Sequence, residues 1–301
     1  MNRSGLAAGV AAYLLWGLFP LYWPLLEPAA PVEILAHRVA WSFVFIAIVL
    51  ALTSGFRWIR TLGRRRAGLL ALAAMLITVN WGTFIYGVNS GHVVEASLGY
   101  FINPLVTVAL AVTVLRERLE PAQRVAVGIA AVAVAVLTVD YGRPPWIALT
   151  LACSFGLYGL IKNRAGVDGT HSLAVETATL LLPALGYLAW LGASGHGTFT
   201  THGTGHGLLI AGGGVATAVP LMLFGAAAIR IPLTTLGLIQ YLAPVIQFLI
   251  GVLVYSEPMP VSRLAGFALV WLALIVFTWD AVRTARRSAR ARGLEPAPAP
   301  A

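Results

Sequence analysis

Apolar residues run along this chain in long blocks separated by short polar breaks. A helix rises ~1.5 Å per residue, so about 20 mostly apolar residues are needed to cross ~30 Å of hydrocarbon. Ten blocks have that length: roughly 5–26, 31–53, 68–89, 93–115, 121–140, 144–162, 172–192, 206–229, 232–255 and 261–281. The pattern predicts an all-α integral membrane protein of ten transmembrane helices, with almost no room for a soluble domain. The first block follows Arg3 as a signal peptide would, but its length, Trp16, Trp23 and the nine blocks behind it indicate a retained helix.

Composition agrees: 59% of the residues are hydrophobic, only 10% are charged, and the mean hydropathy is +0.84. Soluble domains are not built this way. A net charge of +9 suggests nucleic acid until its distribution is followed. With the N-terminus in the cytoplasm, 17 of the 20 Lys and Arg fall on the cytoplasmic side, in Arg3, the 57–66 and 116–124 clusters, Lys162, Arg164, Arg230 and the 283–292 tail. Arg143 and Arg263 fall outside, and Arg38 lies within the second span. The positive-inside rule therefore places both termini in the cytoplasm and excludes a nucleic-acid partner. RTARRSARAR reads as a topology anchor and EPAPAPA as a disordered end. Cys153 is alone, so no disulfide framework exists. Nineteen Arg against one Lys, with much Ala and Gly, points to a GC-rich bacterial genome.

An internal repeat organises the spans. ASLGYFINPLVTVALAVTVLRERLEP, from Ala96, aligns with TTLGLIQYLAPVIQFLIGVLVYSEPMP, from Thr234. Leu98-Gly99 matches Leu236-Gly237, Pro104 precedes Glu117 as Pro244 precedes Glu257, and a Pro, an Arg and a Gly follow each Glu. The copies lie five spans apart, an odd number, so the halves insert in opposite orientations. The expected organisation is a first unit at 1–140, a second at 141–281, and a basic then Pro/Ala-rich disordered tail at 282–301. Inverted repeats rocking about a shared midplane site are the architecture of secondary transporters.

The repeat also selects residues. Gln240, Pro244, Gln247 and Gly251 share one helical face, with Asn103, Thr107 and Ala111 on the matching helix. Asn103, Gln240 and Gln247 are expected either to face an aqueous pathway or to pack helices closely. Pro104 and Pro244 are expected to leave carbonyls for neighbouring protein or a wet cavity to satisfy.

The run VEILAHRVAWSF places Glu33, His37 and Arg38 inside a span, ~10 Å or less from its start at Pro31. Either Glu33 pairs with His37 or Arg38 to hold the outer mouth, or the trio lines the cavity wall. Asn80, Trp81, Tyr86, His92 and Glu95 run down the third span and into the next turn, and His92 and Glu95 are expected near the trio. Glu176 reads as interfacial, and Asp140, Asp168 and Asp280 as solvated helix ends. His196, His202 and His206 lie in a Gly/Thr loop without a Cys or carboxylate, and no metal site is assigned. AGGGVATAVP reads as close helix packing.

The runs YLLWGLFPLYWPLL, EILAHRVAWSF, NWGTFIYGVNSGHVVEASLGYFINPL, LRERLEP and SFGLYGLIKN resemble the RarD branch of the EamA-type drug/metabolite transporter superfamily. The resemblance spans the first six helices, and the second half follows the general EamA pattern. It implies a ten-helix permease of the bacterial cytoplasmic (plasma) membrane, built from two EamA units, in a superfamily whose members export amino acids, other metabolites and drugs. No H-E-x-x-H, G-x-S-x-G or Walker A motif is present, so no cofactor and no enzyme activity are assigned. The expectation is a secondary transporter of small metabolites or drugs, running on a gradient or exchange. The competing readings are a membrane enzyme, a lipid translocator or a scaffold. The partners are a small-molecule substrate and the lipid bilayer, with proton coupling and a homodimer left open.

Overall fold

The computed structural model describes residues 3–53, 55–115, 121–167, 169–228, 230–231 and 239–293. Glu117, Asp168, Leu236 and Gly237, the side chains of Thr107 and Ala111, and the 294–301 end lie outside the described residues. The described chain is all helical: α1 (Arg3–Gly17), α2 (Phe19–Tyr22) with a 3-10 turn at Trp23–Leu26, α3 (Pro31–Leu52), a 3-10 turn at Arg57–Thr61, α4 (Arg64–Asn89), α5 (Val93–Leu115), α6 (Pro121–Tyr141), α7 (Trp146–Ala165), α8 (Gly169–Ala193), α9 (Gly203–Ala228), α10 (Leu242–Leu249) with a π turn at Ile250–Val254, and α11 (Val261–Gly293). Among the described residues, six helices are long and apolar enough to cross a membrane. The α1–α2 region forms a further span if its 44° bend is counted within one, and Val93–Val106, Trp146–Lys162 and Leu242–Val254 are shorter apolar stretches.

Local chemistry sets the helix ends. Pro31 opens α3, where its missing N–H costs nothing, and Glu33 lies in the first turn. Gly166 ends α7 at φ +60°, donating to Lys162 O, with Lys162 and Arg164 in the last turn. The bend after α1 follows from two prolines. Pro20 and Pro24 lack the N–H groups that would bond the carbonyls of Trp16 and Pro20. Side chains from the far end of the chain take over: Gln247 Nε2 donates to Trp16 O at 3.0 Å, and Tyr255 Oη to Pro20 O at 2.8 Å. In lipid such substitution is obligatory, because no water reaches a freed carbonyl. Pro244, expected to free a carbonyl in mid-span, stands instead in the first turn of α10, where a proline is tolerated.

Helix contacts follow a regular scheme. α6 packs on α11, α3 on α8 and on α9, α4 on α7 and on α8, α5 on α7 and on α10, and α1 on α9 and on α10. The α6–α11 seam is lined by Ala126, Ala130, Ala133 and Leu137, while Val125, Val132 and Val139 point outward. A methyl group on Gly266 would lie 2.5 Å from Leu137 Cγ, so this crossing depends on glycine. Leu52, Val139, Leu182 and Val261 are each about 80% exposed, which suits a surface solvated by lipid.

Candidate functional site

The glycine run of α9 builds the centre of the site. A Cβ on Gly214 would meet Trp41 C at 2.5 Å, so the backbones of α9 and α3 approach closely there. The expectation of close packing at AGGGVATAVP is met at this glycine. One turn on, Thr217 is carried against Arg38. Its hydroxyl donates to Gly213 O at 2.8 Å and accepts from Arg38 Nε at 2.7 Å.

Arg38 is 3% exposed and surrounded by aromatic rings. Its Cζ lies 4.0 Å from the Trp81 ring centroid, 5.0 Å from Trp23 and 5.7 Å from Phe19. Cation–π contact contributes ~2 kcal/mol when desolvated, against an effective burial penalty of several kcal/mol for an ion. The rings thus offset only part of the cost. No carboxylate among the described residues pairs with Arg38, and its Nη1 is buried without a hydrogen-bond partner. Ser42 Oγ, one turn further along the same face of α3, and Trp23 Nε1 are likewise buried and unsatisfied.

Asn80 serves this wall from behind. Its Nδ2 donates to Leu151 O at 2.9 Å and to Ser154 Oγ at 3.1 Å, tying α4 to α7. Its Oδ1 accepts from Tyr100 Oη at 3.3 Å. Gln247 bonds Trp16 O and is 3% exposed, with its Oε1 unsatisfied. Asn103 and Gln240 are half-buried, on α5 and in the turn before α10.

The expected pairing of Glu33 with His37 or Arg38 is not what the fold makes. Glu33 turns to the 194–202 connection, accepting from Thr198 N at 2.6 Å and Thr198 Oγ1 at 3.0 Å. His206 Nε2 meets the same hydroxyl at 3.0 Å. His37 stacks on Phe199, centroids 4.6 Å apart and planes at 24°. The ~100° step per helical residue sends Arg38 to a different face from Glu33, and on the face that Glu33 shares with His37 the Thr198 N–H and hydroxyl take the carboxylate while the Phe199 ring takes the imidazole.

Nor do His92 and Glu95 join the trio. Glu95 pairs with Arg143 at 2.9 Å and accepts from Ile147 N at 3.0 Å, capping α7. His92 bonds Ser90, and Glu257 caps α5 through Val93 N and Val94 N at 2.5 and 3.0 Å. Carboxylates at helix N-termini satisfy donors with no partner in their own helix. Tyr86 is 45% exposed and leans on Trp146, away from Arg38.

Two acids were misread from sequence. Glu176 is buried rather than interfacial: Lys162 Nζ lies 3.3 Å away, and Tyr158 and Ser172 donate to it at 3.0 and 2.6 Å. Asp140 is paired with Arg263 at 2.8 Å and accepts from Ser262. At the opposite end of the molecule, a surface cavity of about 460 Å3 between the start of α4 and the end of α7 is lined in part by Arg65, Arg66 and Arg164. Its lining includes no residue of the Arg38 site. Among the described residues no three His, Cys, Asp or Glu side chains converge as a metal site.

Sequence reasoning missed Thr217, Tyr100, Trp23, Phe19, Thr198 and Phe199. Thr217 carried a faint signal, a lone hydroxyl one turn beyond a glycine triplet. The aromatic residues carried none, since bilayer spans are rich in them.

Comparison with known proteins places these features. The EamA-like transporter family matches residues 3–139. Protein RarD of Streptomyces exfoliatus is 60% identical over 97% of this chain and 93% of its own length. The uncharacterized transporter YojE of Bacillus subtilis (strain 168) is 44% identical over 95% and 97%. One crystal structure, 19% identical, superposes with a TM-score of 0.59 over 94% of this chain and 99% of its own, a likeness of fold.

Proposed function

The chain belongs to the RarD branch of the EamA-like transporter family and is a multi-pass membrane protein, and from that premise we propose that it is a secondary transporter of small metabolites or drugs, working as an exporter. It has ten spans in two inverted five-helix units and both termini in the cytoplasm. Gradient or exchange energy drives it, and it is not an enzyme, lipid translocator or scaffold.

The helix contacts support the two-unit reading. Let each span be exchanged with the one five places on, counting α1 to the Trp23–Leu26 turn as the first. The α4–α7 contact then becomes α9–α1, α5–α7 becomes α10–α1, and α3–α9 becomes α8–α4, while α6–α11, α3–α8 and α5–α10 map onto themselves. These contacts, the main ones between long helices, are exchanged among themselves or kept, as in a two-fold related pair of units.

The observation that carries the transport reading is Arg38. Ionisable side chains within spans face a bundle interior or a water-filled path and mark substrate routes. Arg38 stands between the units, with α3 and α4 on one side and Thr217 of α9 on the other. A rocking motion between the units separates or joins Arg38 and Thr217 and so remakes the site as access alternates. The Glu33–Thr198 and His37–Phe199 contacts close one end of that route in this conformation.

The test is flux. The purified chain in sealed proteoliposomes is loaded with a panel of radiolabelled organic acids, amino acids and drugs, and efflux is compared with that from protein-free vesicles. Saturable, solute-selective efflux is expected. Equal leakage of every solute with and without protein, in both orientations, removes the transporter reading.

A further inference from the structure

Arg38 has more hydrogen-bonding capacity than the fold uses. A guanidinium carries five N–H donors in a planar fork and stays protonated in proteins. Thr217 takes the Nε donor, and Nη1 is buried with nothing to bond. Ser42 Oγ lies on the same face with no bond of its own. Buried polar groups in native proteins are nearly always satisfied, so a cluster of unsatisfied donors around an uncompensated charge marks a place where an anion binds.

We propose that Arg38, Ser42 and the surrounding rings form a binding site for a monoanionic solute, a carboxylate on a flat apolar body, that carries no free amino group. This rests on the transport reading and names the class of solute.

Three observations set the class. The charge comes from the guanidinium, whose planar fork matches a carboxylate in two parallel hydrogen bonds. The flat apolar body comes from Trp81, Trp23 and Phe19, which present rings within 4.0 to 5.7 Å of Cζ. The missing amino group comes from the acids. Glu33, Glu95, Asp140, Glu176 and Glu257 each accept hydrogen bonds elsewhere in the fold. An ammonium beside Arg38 would therefore meet a like charge with no carboxylate among these to offset it. Such a site rejects zwitterions by repulsion as much as it selects anions by attraction.

The decisive experiment uses the purified full chain and four probes: N-acetylphenylalanine (anion), phenylalanine (zwitterion), phenylalaninamide (cation) and acetate (anion without a body). Binding is read by Trp fluorescence and by the shift of the melting temperature, and flux by proteoliposome counterflow. N-acetylphenylalanine is expected to bind at least about tenfold more tightly than each of the others, the scale of one lost charged hydrogen bond. Arg38→Lys should weaken it by about tenfold, because an ammonium cannot form the fork. Arg38→Gln, if monodisperse and cooperatively melting, should lose it. Failure of every anion to bind, equal binding of phenylalanine, or an unchanged preference in Arg38→Lys overturns the site. The two readings fail separately. Anion binding without flux sinks transport and leaves the site, whereas flux of cations or neutral solutes without anion preference sinks the site and leaves transport.

Discussion

Gln247 and Trp16 lie 231 positions apart, yet the amide of one covers the carbonyl of the other at 3.0 Å. The need for the bond arises at Pro20, which has no N–H to offer Trp16 O. The bent first span and the tenth helix are thus completed by each other. Gln247→Leu leaves that carbonyl buried and bare, and should lower stability by ~1–3 kcal/mol. Thermal unfolding in detergent checks it. Tyr255→Phe, which uncovers Pro20 O, should act in the same direction. Unchanged melting in both variants would show that the carbonyls find other donors.

Gly214→Ala is expected to cost ~1–3 kcal/mol by overpacking α9 against Trp41. The same change at Gly186, where nothing lies within 4 Å, should be neutral or mildly stabilising. Equal melting shifts in the two variants would remove the close approach as the reason for the glycine run.

Glu257 gives a pH signature. It sits on the 255–260 connection, where burial raises its carboxyl pKa above the ordinary range, opposed by the Val94 and Val93 N–H groups and by His92 and Arg263. The native state therefore holds the proton more tightly than the unfolded chain. Its contribution to stability is complete below the ordinary carboxylate pKa and is lost as pH rises through the raised value. Melting temperature plotted against pH should fall across that window in the wild type relative to Glu257→Gln. Parallel curves would show that Glu257 does not titrate differently on folding.

The Glu33–Thr198 and His37–Phe199 contacts predict an outer closure. In a Cys153→Ser background, Thr198→Cys should react with membrane-impermeant thiol reagents several-fold faster once Glu33 is changed to Gln. If His37 carries the coupling proton, with Glu33 and His206 as its titratable neighbours, His37→Gln should abolish flux driven by a pH gradient and spare exchange. Intact pH-driven flux would take His37 out of coupling.

The charge bias predicts sidedness. Reporter fusions after Gly293 and within 194–202 should report the cytoplasm and the outer side respectively. Both reporters on one side would undo the inverted arrangement, and with it the exchange of partners across the units.

How far the sequence reached depends on the range of the forces involved. The apolar blocks, the prolines and the basic clusters act through the bilayer or through neighbouring residues, so helical spans and their ends were legible directly. The ~100° step between His37 and Arg38 was legible too, and it already separated their faces. What each face meets was not. Arg38 finds Thr217 179 positions away, and Glu33 finds Thr198 165 positions away. These partners are chosen by which helices pack, and that is set by glycines such as Gly214 and Gly266 whose fit exists only in three dimensions. The same holds for the acids. Glu176, Asp140 and Glu95 look like helix-end carboxylates along the chain, and only packing brings Lys162, Arg263 and Arg143 to them. A buried charge is visible in one dimension, but its compensation is a property of neighbours, and the tertiary contacts assign these acids to partners other than Arg38.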